Sequence, residues 1–272
     1  MTSELVVSDI DGVLLTDTVD PQDNFDALRF LKDECNIQTT VASGRPTSLI
    51  VPIVDIEALT GPIIAENGGT ITDIYGNVLS STPVPDKAKE YIKEIHDKPD
   101  VGTIVFLPTE YPDTYYIYEA DTDVVEKLIT DFKITSLIRT KDFSYFMSLM
   151  YKYTYSKIVV IMKKEIKHMP NPENVNLCQS IYRNTTYFDI TADSVSKGAA
   201  IRQIADKLNI ALCKIVVLGN DYNDISMFEL PVGCKIAVNY QDRLPQELRQ
   251  NATLVISPEQ VAGTLRQIAT LN

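Results

Sequence analysis

The sequence predicts an α/β protein with a parallel sheet, interrupted by an inserted domain of α+β type. Short apolar runs alternate with amphipathic segments over 1–80 and again over 192–272, which is typical of βαβ units. Residues 81–191 differ, because they hold most of the tyrosines and several proline turns, with apolar runs that suit antiparallel pairing. We therefore expect one domain built from 1–80 and 192–272, and a second domain formed by 81–191.

The segments of the first domain follow one another as strand and helix. Before the insertion, strands are predicted at Leu5–Val7, Ile37–Ala42, Ile63–Ala65 and 69–73, and helices at Gln22–Glu34 and Thr47–Leu59. After it, an amphipathic helix is predicted at Lys197–Leu208, and strands at Ile215–Leu218, Lys235–Val238 and Leu254–Ile256. That helix is assigned from apolar residues at helical spacing, such as Ile201, Ile204 and Leu208.

The inserted segment shows mixed patterns. Helices are predicted at Pro85–Lys98 and Asp123–Phe132, strands at Thr103–Leu107, Tyr115–Tyr118 and Lys157–Met162, and a hairpin at Leu177–Tyr182 with Tyr187–Thr191. Strands joined by short turns pair antiparallel. We therefore expect an antiparallel sheet with helices in this domain.

Composition and charge exclude several classes of protein. A net charge of −12 over 272 residues opposes binding to nucleic acid or to an anionic membrane surface. No apolar stretch is long enough for a membrane span, and the first strand begins too early to leave room for a signal peptide. The cysteines have no CxxC spacing, so neither zinc nor a disulfide framework is indicated. We expect a cytoplasmic protein with free thiols, and a monomer is compatible with the sequence.

An acidic pair ends the first strand. Asp9 and Asp11, followed by Gly12, come directly after an apolar run. Two carboxylates so close together repel each other, and a bound cation or a catalytic proton commonly offsets that cost. The alternative is a turn of solvated aspartates.

Three further polar clusters lie where a strand meets a helix. Ser43 and Gly44 follow the second strand and precede a predicted helix. A hydroxyl and a glycine at this position can bind an anion at the helix N-terminus, or the serine can simply cap the helix. Lys197 begins a helix, where the macrodipole disfavours a cation. A lysine at this position either faces an anion or carboxylate, or lies in solvent. An acidic and amide cluster at 220–224 follows the strand Ile215–Leu218; open α/β sheets bind ligands at such strand ends, although a plain Asx turn is the alternative.

Taken in order, the acidic pair, the hydroxyl, the lysine and the acidic cluster resemble the haloacid dehalogenase superfamily of phosphohydrolases. They are most similar to its Cof-type members of subfamily IIB, which carry a large α+β cap between the second and third motifs. Glu66–Gly69 is similar to the family's Asn-Gly element. The resemblance covers nearly the whole chain. It implies a Rossmann-like core with a parallel sheet and an inserted α+β cap that determines specificity.

The resemblance also implies roles for individual residues. Asp9 would be the nucleophile that forms an aspartyl-phosphate, and Asp11 the general acid and then the general base. The phosphate-binding residues would be Ser43, Gly44, Lys197 and Asn223. Substrate contacts are assigned provisionally to Arg45 and Arg183.

The resemblance further implies a Mg²⁺ ion held by Asp9, Asp11, Asn220 and Asp224. Asn220 departs from the family, which has aspartate at this position. An amide oxygen still ligates Mg²⁺ but brings no negative charge. We therefore expect weaker metal binding, unless Asp221 or Asp224 compensates.

These inferences predict a Mg²⁺-dependent phosphatase that acts on small phosphorylated metabolites, sugar phosphates in particular. Two alternatives stay open: a phosphosugar mutase, and a non-catalytic sensor of phosphorylated metabolites with a decayed metal site. Serine-hydrolase, P-loop and dinucleotide-binding functions are excluded, because no GxSxG, GxxxxGK[ST] or GxGxxG occurs.

Overall fold

In a computed structural model of the protein, residues 3–166, 169, 175–182 and 185–268 are described. The strands are β1 Leu5–Ser8, β2 Gln38–Val41, β3 Ile63–Ala65, β4 Thr70–Thr72, β5 Val78–Ser81, β6 Val101–Phe106, β7 Tyr115–Glu119, β8 Leu137–Thr140, β9 Ile158–Met162, β10 Val175–Tyr182, β11 Thr185–Ala192, β12 Ile215–Gly219, β13 Cys234–Val238 and β14 Leu254–Ile256. The helices are α1 Pro21–Cys35, α2 Thr47–Ile50, α3 Asp86–Ile95, α4 Thr122–Phe132, α5 Phe143–Lys152, α6 Lys197–Leu208, α7 Ile225–Phe228, α8 Gln246–Asn251 and α9 Val261–Ile268.

The chain divides into two compact units, one formed by Met1–Ser80 with Ser196–Asn272 and the other by Ser81–Val195. None of the helices that the structure describes has the length and hydrophobicity that a membrane crossing requires.

The first unit is built on a five-stranded parallel sheet in the order β14-β13-β12-β1-β2. All residues of β1 and β12 are buried, as expected where helices cover both faces of a parallel sheet. Neighbouring side chains of β1 point to opposite faces, so that Val6 packs in one apolar cluster and Val7 in the other. The predicted α/β class is confirmed.

A small sheet, β3-β4-β5, follows β2 in the same part of the chain. The segment before it corrects the predicted helix Thr47–Leu59. Only Thr47–Ile50 is α-helical, and a separate 3₁₀ turn occupies Ile56–Ala58. Pro52 has no N–H to continue the helix, and the Asp55 carboxylate then accepts from the Glu57 N–H and begins the 3₁₀ turn.

The second unit contains a six-stranded sheet in the order β10-β11-β9-β6-β7-β8. Its pairs are antiparallel apart from β7 with β8, and the predicted hairpin of β10 and β11 is present. One face packs an aromatic core in which the Phe106 ring lies against those of Phe146 and Tyr155. The sequence analysis missed α5 and β8. Arg183 lies outside the described residues.

Candidate active site

Asp9 and Asp11 lie at the carboxyl end of the central strand β1. The Asp9 N–H still donates to the Leu218 carbonyl at 2.9 Å, so the sheet holds the backbone of Asp9. The chain then turns at Gly12, whose φ is +82°. A Cβ atom at residue 12 would collide with the Asn220 side chain, so glycine allows the first and last polar clusters to approach each other.

Lys197 joins two of the acidic groups. Its Nζ lies 2.7 Å from Asp9 Oδ1 and 2.6 Å from Asp224 Oδ1, and its side chain is 0% exposed. It is the first residue of α6, and the preceding Ser196 caps that helix by accepting from the Ala199 N–H. Two carboxylates therefore compensate a cation that both burial and the helix dipole disfavour.

The ionisation of these groups is coupled. Burial, together with the nearby Asp224 and Asp11 carboxylates, raises the pKa of Asp9 to about 8, although Lys197 opposes the shift. Burial lowers the pKa of Lys197, but its two carboxylate partners outweigh that effect and leave this pKa above its ordinary value. Burial and the neighbouring carboxylates therefore disfavour the charged form of Asp9 more strongly than Lys197 favours it.

The Asn220 amide turns one end toward two oxygen atoms, 2.9 Å from the Asp11 carbonyl oxygen and 3.1 Å from Asp9 Oδ2. With its nitrogen at that end, Asn220 donates a hydrogen bond to each. With its oxygen there, three oxygen atoms converge, and such an arrangement is repulsive unless a cation lies among them.

These three oxygens fit Mg²⁺, which prefers hard oxygen ligands and keeps several waters. Within the described ranges no three His, Cys, Asp or Glu side chains are grouped to hold a metal. A metal at this point would therefore depend on the Asn220 amide and the Asp11 main-chain carbonyl as well as on the Asp9 carboxylate.

Asp224 has other partners. Oδ1 accepts from Lys197, and Oδ2 accepts from the backbone N–H groups of Asn220 and Asp221 at 2.8 and 3.0 Å. Its side chain is 0% exposed. In this structure its oxygens hold the Lys197 ammonium and the backbone of the Asn220 loop, and its assignment as a metal ligand stays a prediction.

The phosphate-binding candidates lie in the same unit. Ser43 follows β2, is 1% exposed, and its hydroxyl accepts from the Arg45 N–H at 3.1 Å, which leaves the hydroxyl proton to donate. Gly44 lies between these two residues. Asn223, in the loop after β12, donates from Nδ2 to Asn67 Oδ1 at 3.1 Å.

Arg45 has a partner that sequence reasoning missed. Its Nε and Nη2 each lie 2.7 Å from an oxygen of Asp11, so the two side chains form a two-point ion pair. The side chains are 16% and 38% exposed, so solvent reaches this pair. Arg45 was predicted to contact substrate; in this structure it binds the second residue of the acidic pair.

A family model described as haloacid dehalogenase-like hydrolase matches residues 6–266. A protein of Mycoplasma capricolum is 29% identical over 84% of this chain and 88% of its own length. A Bacillus subtilis protein named 5-amino-6-(5-phospho-D-ribitylamino)uracil phosphatase is 26% identical, over 92% of this chain and 91% of its own.

Among solved structures, a sugar phosphatase of haloacid dehalogenase subclass IIB superposes with a TM-score of 0.78. It is 16% identical and the match covers 99% of each chain, so it supports the shared fold. The match to the family model spans almost all of the chain. The chain therefore belongs to the haloacid dehalogenase-like hydrolase family, as its ordered motifs predicted.

Proposed function

We propose that the protein is a Mg²⁺-dependent phosphatase that hydrolyses phosphate monoesters of small metabolites through a phosphorylated Asp9. The observation that carries this proposal is the buried Asp9 carboxylate, held 2.7 Å from the Lys197 ammonium at the end of a parallel strand. A carboxylate fixed in this way is suited to attack on phosphorus, and the adjacent cation offsets its repulsion from an anionic substrate.

In the first step an oxygen of Asp9 bonds to phosphorus, the bond from phosphorus to the leaving oxygen breaks, and Asp11 gives that oxygen a proton. Water then attacks the aspartyl-phosphate, Asp11 accepts a proton from that water, and the bond between Asp9 and phosphorus breaks. Arg45 occupies both oxygens of Asp11. Asp11 must therefore separate from at least one of these contacts and take up a proton from solvent, which reaches the pair, before it protonates the leaving group.

Mg²⁺ would be held by Asp9, the Asp11 carbonyl and Asn220, and when bound it would neutralise charge between the nucleophile and the phosphoryl oxygens. Ser43 would donate its hydroxyl proton to a phosphoryl oxygen, assisted by the Gly44 backbone and by Lys197. Asn223 is assigned to the same group. Asp224 supports Lys197 and is also assigned to the metal site.

The named relatives support a phosphate ester as substrate, since one acts on a phosphoribitylamino compound and another on sugar phosphates. We assign sugar phosphates as the substrate class on that basis. The unit Ser81–Val195 is assigned the role of distinguishing leaving groups, because the motif residues of the reaction all lie outside it.

Phosphate release from a panel of sugar phosphates and from p-nitrophenyl phosphate, with and without Mg²⁺, tests this function. Asp9→Asn keeps the volume of the side chain but removes the nucleophile, and we expect a loss of at least about 10³-fold in kcat. Asp23→Asn, an equivalent change at an exposed position of α1, is the control and should leave the rate unchanged. Phosphorylated products without free phosphate would indicate the mutase, and binding without turnover would indicate the sensor.

A further inference from the structure

The turn after β3 has an unusual backbone. Glu66, Asn67 and Gly68 are consecutive and have φ values of +54°, +57° and +98°. Residues other than glycine rarely adopt positive φ, and such conformations cost free energy that surrounding contacts must repay. The turn is buried at Glu66 and Asn67, which are 7% and 4% exposed.

Asn67 connects the loops that carry two of the proposed phosphate-binding residues. Its backbone N–H donates to the Ser43 carbonyl at 2.9 Å. Its side-chain Oδ1 accepts from Asn223 Nδ2 at 3.1 Å. Ser43 and Asn223 are 180 positions apart in the sequence, and Asn67 hydrogen-bonds to both.

The same turn also packs against the loop that precedes Lys197. A Cβ atom at Gly68 would collide with the Ser196 carbonyl, so the backbone approaches this loop as closely as glycine permits. The Asn223 Oδ1 atom is buried and has no hydrogen-bond partner among the described residues. Within the described part of the chain, the hydrogen bond from Asn223 Nδ2 to Asn67 therefore orients the Asn223 amide.

We propose that Asn67 is a positioning residue, which holds Ser43 and Asn223 at the spacing that a bound phosphoryl group requires. This inference rests on the proposed function. A residue chosen only for its left-handed backbone would not need the side chain, because glycine adopts that backbone at lower cost. The buried side-chain contact to Asn223 is what distinguishes a positioning role from a purely local one.

Asn67→Gly tests the side chain by itself, since glycine retains the turn and removes the amide. Asn36→Gly is the matched control: Asn36 is also left-handed, with φ of +55°, but it caps α1 at an exposed position. Binding of inorganic phosphate in the presence of Mg²⁺ is measured by calorimetry, beside kcat, KM and the melting temperature of each variant.

We expect Asn67→Gly to weaken phosphate binding about 10-fold, with a change in melting temperature no larger than that of Asn36→Gly. Asn223→Ala removes the contact with Asn67 and also the proposed contact with phosphate, so its loss should be at least as large. The double variant should bind within about twofold of Asn223→Ala alone, because the Asn67 side chain is proposed to act through Asn223. Effects that multiply in the double variant, or phosphate binding unchanged by Asn67→Gly, would overturn the inference.

The outcomes separate this inference from the proposed function. Wild-type protein that binds phosphate through Asn67 but releases none from any ester would uphold the positioning role and contradict the phosphatase. Turnover of esters by the wild type, with the same rate and the same phosphate affinity in Asn67→Gly, would uphold the phosphatase and contradict the positioning role. A wild-type protein that neither binds phosphate nor releases it from any ester would overturn both.

Discussion

A carboxylate that attacks phosphorus must be ionised, yet Asp9 is 4% exposed and lies near two other acids. Burial is the main reason that its pKa rises to about 8, and Lys197 offsets only part of that shift. A divalent cation at the adjacent oxygens would favour the ionised form further. At the residue scale, the proposed metal and Lys197 would therefore be complementary means of keeping the proposed nucleophile charged.

Asn220 provides the test of that metal site. Asn220→Asp adds a negative charge where the amide now faces Asp9 Oδ2 and the Asp11 carbonyl. We expect Mg²⁺ to bind about 10-fold more tightly, because the attraction between the ligand and the cation increases. Calorimetric titration with Mg²⁺ measures this directly. Asn36→Asp adds the same charge at the exposed end of α1 and should leave the affinity for Mg²⁺ unchanged. Equal affinity for Mg²⁺ in wild type and Asn220→Asp would contradict the ligand assignment.

At the scale of elements, strand ends bring together groups that are far apart in the chain. β1, β2 and β12 are parallel neighbours, so their carboxyl ends meet at one edge of the sheet. This placement explains why Lys197 is needed there, since three acidic side chains, Asp9, Asp11 and Asp224, gather in that region.

The second unit has its own charged junction at Glu119, the last residue of β7. Its carboxylate pairs with Arg139 of β8 and accepts from the Thr122 hydroxyl of α4 at 2.5 Å. The hydrogen bond from Arg139 is the main reason that the pKa of Glu119 falls from 4.5 to about 2. The folded state therefore favours the ionised form, and the contribution to stability is complete above the ordinary pKa and disappears as the pH falls toward about 2.

Glu119→Gln should lower the free energy of unfolding by about 2 kcal/mol near pH 7, since a buried charged hydrogen bond is lost. The difference from wild type should shrink as the pH is lowered below about 4.5, as measured by urea denaturation. Glu126→Gln is the control: Glu126 also pairs with Arg139 but is 57% exposed, so we expect about 0.5 kcal/mol or less. A difference that stays constant with pH would refute this account of Glu119.

At the scale of the whole molecule, the two compact units have separate apolar cores. The aromatic cluster around Phe106 lies within Ser81–Val195, and the clusters on either face of the parallel sheet lie in the other unit. The proposed Mg²⁺ ligands all belong to the unit that contains the parallel sheet. Ligand binding stabilises the region that contacts the ligand by mass action.

Hydrogen exchange on the intact protein tests this separation. Saturating Mg²⁺ should slow exchange by at least about 10-fold in peptides that cover 8–13 and 219–224. Peptides from β6, β7 and β9 should exchange at unchanged rates, and they serve as the internal control. Equal protection of both sets of peptides would contradict a metal site confined to the unit that contains the parallel sheet.

The family, the parallel core strands and the hairpin of the second unit could be predicted from the sequence. Each of these depends on local patterns: buried apolar runs, short polar junctions and the order of motifs. The break near Pro52 was also visible in the sequence, since proline has no N–H to continue a helix, although the helix was predicted to extend to Leu59. Helix α5 was missed because its aromatic residues favour strand as readily as helix.

The tertiary structure decided which charges pair. Asp11 and Arg45 are separated by 34 positions, and Asp9 and Lys197 by 188, so their spacing in the sequence gives no indication of contact. The same holds for Asp224, whose carboxylate accepts from Lys197, and for Asn67, which hydrogen-bonds to both Ser43 and Asn223. The sequence determined which polar groups occupy the strand ends, because burial and strand boundaries are local properties. Their partners follow from the packing of parallel strands, which alone sets the distances over which charges and hydrogen bonds act.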